Sequence, residues 1–109
     1  MRIWLIGAGK GGIEILHQLA KNSEIDLFVS SVSEKPPAVR EGVISKVQLV
    51  ERVTSYNVNT LAKRIRPDLI LIDSGEEDKN LGRVMGGSAM SAAMNDEIAS
   101  ASDFPCLVL

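Results

Sequence analysis

Three glycines separate a short apolar run from a helical pattern near the start of the chain. The run RIWLI, Arg2–Ile6, has the length and the branched residues of a strand that is buried on both faces. Gly7, Gly9 and Gly12 follow it in the spacing G-x-G-x-x-G. Apolar residues then recur at helical intervals, which predicts a helix over residues 11–21. A strand that turns directly into a helix favours a parallel sheet with covering helices.

The rest of the chain adds strands and helices in alternation. Apolar runs predict strands at 25–30, 47–53, 68–73 and 104–109. Helical spacing predicts one helix that begins after the N-cap Asn57 and ends before Pro67, and a second, kinked or divided helix over 80–102. Residues 31–42 contain Pro36 and Pro37 and are predicted to be an exposed loop. Right-handed crossovers then give a five-stranded parallel sheet of order 3-2-1-4-5.

Composition narrows the class of protein. The 109 residues are 45% hydrophobic and 24% charged, which suits a single domain, 1–109. The formal net charge is −2 and the basic residues are scattered, so nucleic acid is not an expected partner. The N-terminal apolar run is too short for a signal peptide or a bilayer span, so we expect no membrane insertion.

The single cysteine and the single histidine exclude several kinds of site. Cys106 has no partner for an intramolecular disulfide or a cysteine-based metal site, which favours a reducing, cytoplasmic setting. His17 is predicted on the side of its helix away from the glycines. A multi-histidine metal site is excluded, and so is a triad that draws on a second histidine. We therefore predict no metal site, and the catalytic residues are unknown.

The glycine spacing has a specific physical meaning at a strand-to-helix junction. Gly7 allows the tight turn, Gly9 lets a pyrophosphate approach the backbone, and Gly12 allows close packing of helix on strand. The amides of Lys10, Gly11 and Gly12 would face phosphates at the positive end of the helix dipole. The alternative is that the glycines only make a turn.

With these residues, the whole chain resembles the NAD(P)-binding Rossmann family. It is most similar to the nucleotide-binding domain of potassium-transport regulators, whose later signature resembles LILIDSGEEDKNL at 69–81. The resemblance implies a Rossmann-like three-layer sandwich that binds a dinucleotide. It would serve as a regulatory sensor or as the cofactor half of an oxidoreductase. We expect such a module to belong to a larger protein, with the catalytic or transport domain lying elsewhere.

The expected cofactor is NADP or NAD, with NADP preferred. NAD-binding members place an acid at the end of the second strand, where it holds the ribose hydroxyls. Ser30 and Ser31 occupy that place here, and Ser31, Lys35 and Arg40 could meet a 2′-phosphate. Beyond the fourth strand, Asp73 and Ser74 are candidates for contacts near a nicotinamide or the second ribose. The alternative for Asp73 and Ser74 is an ordinary solvated turn.

Two other hypotheses remain open. The chain also resembles the N-terminal domains of ATP-grasp ligases, particularly glycinamide ribonucleotide synthetase, in its glycine loop, its IDLFVS strand and its LILID strand. That resemblance implies a domain that helps to hold substrate, with the ATP site mostly in other domains. A third hypothesis is an association module that keeps the turn and binds no nucleotide. Met85, Met90 and Met94 would suit a homodimer interface.

Overall fold

The computed structural model of this protein describes residues 1–73 and 87–109. The strands are β1 Arg2–Ile6, β2 Asp26–Ser31, β3 Leu49–Val50, β4 Leu69–Ile72 and β5 Cys106–Val108, and the helices are α1 Lys10–Ala20, α2 Pro37–Arg40, α3 Val58–Ile65 and α4 Gly87–Ala101. The predicted site residue Ser74 and Met85 of the predicted dimer interface lie outside the described residues. The described side chains do not include those of Lys10 and Met90.

The described strands form one parallel sheet in the order β3-β2-β1-β4-β5, which confirms the predicted α/β fold and its strand order. β1 lies at the centre, where Leu5 pairs with Val29 of β2 on one side and with Leu71 of β4 on the other. This is a Rossmann-like arrangement, in which the carboxyl ends of all strands meet at one edge of the sheet.

Successive side chains of β1 point to opposite faces of the sheet, so the core forms two layers. Trp4 is fully buried and packs with apolar residues of α3 and α4, among them Val58 and Ile98. Ile3 and Leu5 point to the opposite face and pack with residues of α1 and α2. The helices therefore cover both faces, as a sheet with apolar residues on its two sides requires. In the described ranges, no helix combines the length and apolar character that a bilayer span needs.

The prediction of an exposed loop at 31–42 is wrong for its middle part. Pro36 is the N-cap of α2 and Pro37 its first residue, a position where proline loses no hydrogen bond. Pro36 and Ala38 are buried, and the Ala38 amide donates to the Ala8 carbonyl at 3.1 Å. The prolines thus start a single helical turn that packs on the glycine loop.

Two further expectations are corrected in detail. The third strand is limited to two residues, since β3 is Leu49–Val50 and not the predicted 47–53. Asn57 stands at the predicted N-cap position of α3, but its side chain makes no cap bond. Instead its Oδ1 accepts from the Thr54 amide at 2.7 Å and its Nδ2 donates to the Arg52 carbonyl at 3.0 Å. The side chain therefore fixes the turn before the helix.

Candidate functional site

The glycine loop connects the end of β1 to the start of α1. Gly7 has φ +91°, a conformation that L side chains rarely adopt, so the turn depends on a glycine there. Its amide donates to the Ser30 carbonyl at 2.7 Å, which ties the start of the loop to β2. Gly9 is the N-cap of α1 and, as a glycine, has no side chain of its own that could cap the helix. The loop therefore directs main-chain amides of the first turn toward the carboxyl edge of the sheet.

Gly12 lies in the first turn of α1, next to the end of β1. A Cβ at this position would lie 3.2 Å from Asp73 Oδ2, 3.4 Å from the Gly7 carbonyl oxygen and 3.5 Å from Leu5 Cδ2. The third glycine therefore permits close packing of helix against strand, which is the role that the spacing predicts for it.

Asp73 brings a carboxylate onto the same loop. Its amide donates to the Ile6 carbonyl at 2.9 Å and so extends the pairing of β4 with β1 by one residue. Its Oδ2 accepts from the Gly9 amide at 2.9 Å, and the residue is only 8% exposed. A Cβ on Gly11 would lie 2.7 Å from Asp73 Oδ1. The sequence analysis predicted a ligand contact for Asp73 and did not predict this direct bond to the loop.

This carboxylate lies in the crevice between the carboxyl ends of β1 and β4. The strand order reverses there, because the chain moves outward from β1 through β2 to β3 and then crosses to β4 and β5. In open parallel sheets, ligands bind at such a switch point. The structure therefore brings the glycine loop and Asp73 together at the expected place for a ligand.

Ser30 and Ser31 both use their hydroxyl groups within the protein. Ser30 is fully buried, and its Oγ accepts from Trp4 Nε1 at 2.9 Å. Ser31 is 2% exposed, and its Oγ accepts from the Ser33 amide at 3.0 Å. The end of β2 therefore offers a ligand no freely exposed hydroxyl from either of these residues.

Two basic side chains stand in the segment that covers the loop. Lys35 precedes the α2 turn that is bonded to Ala8, Arg40 is the last residue of that turn, and both are exposed. Glu34 and Glu41 are exposed beside them, so residues 34–41 carry no net charge. By contrast, an open depression beside α4 is lined by the carboxylates Asp96 and Glu97, which disfavour an anion.

The remaining sequence candidates do not join the loop. His17 is exposed on α1. Cys106 lies on β5 at the edge of the sheet, where burial raises the pKa of its thiol. Among the residues that the structure describes, no group of His, Cys, Asp or Glu side chains has the arrangement of a metal site.

Comparison with known proteins gives one informative match. No family model matches the chain, and no solved structure matches it. Among curated proteins, the chain is similar to a phosphoribosylamine-glycine ligase of Methanocaldococcus jannaschii, with 31% identity over 94 residues. The match covers 83% of this chain and 21% of the ligase, so the chain spans about a fifth of the length of this relative.

Proposed function

We propose that this chain binds a phosphorylated ribose derivative and is related to the substrate-holding N-terminal domain of glycine ligases. The observation that carries the proposal is the 31% identity to a phosphoribosylamine-glycine ligase over most of the chain. The name of that relative identifies a phosphoribosyl compound as a ligand of the ligase. For this chain the proposal concerns binding alone, because the match covers 21% of the relative.

The geometry of the loop supports a phosphate as the anchoring group. The positive end of the α1 dipole lies at the crevice and attracts anions, and the Asp73 carboxylate already accepts from the Gly9 amide there. Lys35 and Arg40 are the basic side chains of the covering segment that can pair with a phosphate. A phosphate is a strong acceptor that charged and main-chain donors can bind together.

A dinucleotide, NADP or NAD, is the second candidate ligand. The glycine spacing and the strand order support it, since both are typical of domains that hold a pyrophosphate at this turn. Under this candidate the chain is a regulatory sensor or the cofactor half of an oxidoreductase. The two candidates differ in the ligand that the purified protein binds.

Isothermal titration calorimetry with ribose 5-phosphate, ribose, NADP, NAD and ATP tests the proposal. Ribose 5-phosphate is a stable compound that carries the same phosphate as phosphoribosylamine. We expect it to bind, and we expect ribose to fail because it lacks the phosphate. Tight binding of NADP or NAD without binding of ribose 5-phosphate would favour the dinucleotide candidate. Absence of heat with every ligand would contradict both.

A pair of variants at Lys10 tests whether the main chain holds the phosphate. Lys10 is the first residue of α1, where proline is tolerated, and Gly9 before it has the extended backbone that a residue before proline adopts. Lys10→Pro removes both the amide donor and the side-chain charge, whereas Lys10→Met removes only the charge. We expect Lys10→Pro to bind ribose 5-phosphate about tenfold more weakly than Lys10→Met, as loss of a hydrogen bond to a charged group predicts.

A further inference from the structure

We propose that β5 is the contact surface between two copies of this chain, which pair their β5 strands in antiparallel orientation about a two-fold axis at Leu107. The homodimer expected from the sequence rested on the methionines at 85–94. The proposal places the contact at the edge of the sheet instead, and it does not depend on the ligand that the glycine loop binds.

The outer side of β5 presents main-chain groups that can bond to another strand. The Leu109 amide donates to the Ile72 carbonyl at 2.9 Å, so Leu109 and, two positions before it, Leu107 direct their main-chain groups to β4. These groups alternate in direction along a strand, so the amides and carbonyls of Cys106 and Val108 point away from the sheet. Among the described strands, β5 pairs with β4 alone, and in that part of the chain no main-chain bond reaches these outward groups.

The outward groups are complementary to those of a second β5 strand. With the two-fold axis at Leu107, Cys106 of one copy lies opposite Val108 of the other, and Val108 lies opposite Cys106. Residues that face each other in a hydrogen-bonded antiparallel pair exchange both of their main-chain bonds. This pairing therefore satisfies every outward amide and carbonyl of both strands, and no other register within β5 does so.

The side chains along this edge are apolar and uncharged. Leu107 is 58% exposed, Val108 37% and Leu109 41%, and residues 104–109 include no charged side chain. A second copy therefore brings no charged side chain against β5, and the two Leu107 side chains contact each other across the axis. Edge strands that remain unpaired are commonly protected by charged side chains, and β5 has none.

The opposite edge of the sheet has the protection that β5 lacks. β3 is only two residues long, and the charged residues Glu51 and Arg52 follow it directly. Short strands and charges at an edge oppose pairing with another chain. One edge that pairs and one that does not favour a closed dimer with a self-complementary contact, since an open array would need two different contact surfaces.

The small size of the contact determines how the dimer should behave. β5 contributes three residues, whereas stable protein interfaces bury about 1,200–2,000 Å² in total. We therefore expect a reversible dimer whose fraction rises with protein concentration, and the measurement has to extend to high concentration.

Sedimentation equilibrium over a wide range of concentration tests the contact. Leu107→Lys places two positive charges opposite each other across the axis, and Val50→Lys is the matched control, which adds the same charge at an exposed position of β3. We expect the wild type and Val50→Lys to dimerise alike and Leu107→Lys to associate at least about tenfold more weakly. A wild type that stays monomeric at every concentration overturns the proposal and leaves β5 to a different partner. Equal association of the two variants also overturns it.

A disulfide tests the register. In a Cys106→Ser background, Leu107→Cys brings two cysteines into a non-hydrogen-bonded antiparallel pair with Cα atoms about 4.5 Å apart, a distance that a disulfide spans. Val108→Cys in the same background is the control, because its two cysteines lie on a diagonal, about 7 Å apart along the strands and about 5 Å across, too far for a disulfide. We expect oxidation to link Leu107→Cys into a dimer and to leave Val108→Cys unlinked. Equal linkage of both variants, or linkage of neither, overturns the proposed axis.

Discussion

The indole Nε1 of Trp4 donates to the hydroxyl of Ser30 at 2.9 Å, and both residues are fully buried. Trp4 is in β1 and Ser30 is in the adjacent strand β2, so the bond joins two strands within the layer that α3 and α4 cover. A buried indole needs an acceptor, because an unpaired donor in a low-dielectric core is unfavourable. Ser30 therefore has a structural role that accounts for its position at the end of β2.

We expect Ser30→Ala to lower the free energy of unfolding by about 1–3 kcal/mol, because the indole N–H loses its acceptor inside the core. The measurement is urea denaturation followed by the fluorescence of Trp4, the single tryptophan of the chain. Ser45→Ala is the control, since Ser45 is exposed, and its stability should match the wild type. Binding of ribose 5-phosphate should be the same in both variants. A loss of binding confined to Ser30→Ala would show that Ser30 serves the ligand site.

The sequence predicts the fold well where local pattern and burial agree. β1 is a continuous apolar run and lies buried at the centre of the sheet, while α3 has apolar residues at i, i+3, i+4 and i+7 and buries all of them. The strand order follows from right-handed crossovers, which are almost independent of sequence detail. These features depend on neighbours along the chain, so one sequence is enough to predict them.

The features that the sequence does not predict depend on contacts between distant residues. The bond from Gly9 to Asp73 joins residues 64 positions apart and follows from the register of β1 against β4. The α2 turn is too short to show periodicity and is stabilised by packing on Ala8. One signal was available for Asp73, since an acid directly after an apolar strand beside the glycine-loop strand must lie near that loop.

Arg66 ends α3 in the left-handed conformation, with φ 57° and ψ 58°. An L side chain in this region is strained, whereas glycine adopts it freely. We expect Arg66→Gly to raise the free energy of unfolding by about 0.5–1 kcal/mol, after allowing for the greater freedom of glycine in the unfolded chain. Lys21→Gly is the matched control, because Lys21 ends α1 with φ −73°. That change should destabilise the protein, and equal effects of the two changes would contradict the prediction.

Burial raises the pKa of the Cys106 thiol, so the folded protein favours the neutral form. We expect native Cys106 to react with iodoacetamide at a higher pH than the same residue in the urea-unfolded chain, because the thiolate is the nucleophile. Because the pKa of the thiol differs between the folded and the unfolded chain, the free energy of unfolding depends on pH. The contribution of the neutral thiol to the free energy of unfolding is complete below the pKa of the unfolded thiol, about 8.5. It is lost as the pH rises through the pKa of the thiol in the folded protein. Cys106→Ala should lack this loss in urea titrations at alkaline pH, and an identical pH dependence in both proteins would refute the assignment.

Gly11 and Asp73 should show strong energetic coupling, because a Cβ on Gly11 would lie 2.7 Å from Asp73 Oδ1. In the presence of Asp73, Gly11→Ala must displace a buried carboxylate and break its bond to Gly9, so we expect a loss of about 1–3 kcal/mol. In an Asp73→Ala background the obstruction is gone, and the same change should stabilise α1 by up to about 1 kcal/mol through the helix propensity of alanine. Urea denaturation of the four proteins measures the coupling.

Gly42→Ala is the control for this cycle. Gly42 has φ +76°, and no heavy atom beyond its own chain neighbours lies within 4 Å of the position that a Cβ would take, so its substitution is unfavourable through backbone strain alone. Its effect should be the same with and without Asp73, since distant and independent sites add. If Gly11→Ala were equally additive, the Asp73 carboxylate would not lie against the first turn of α1.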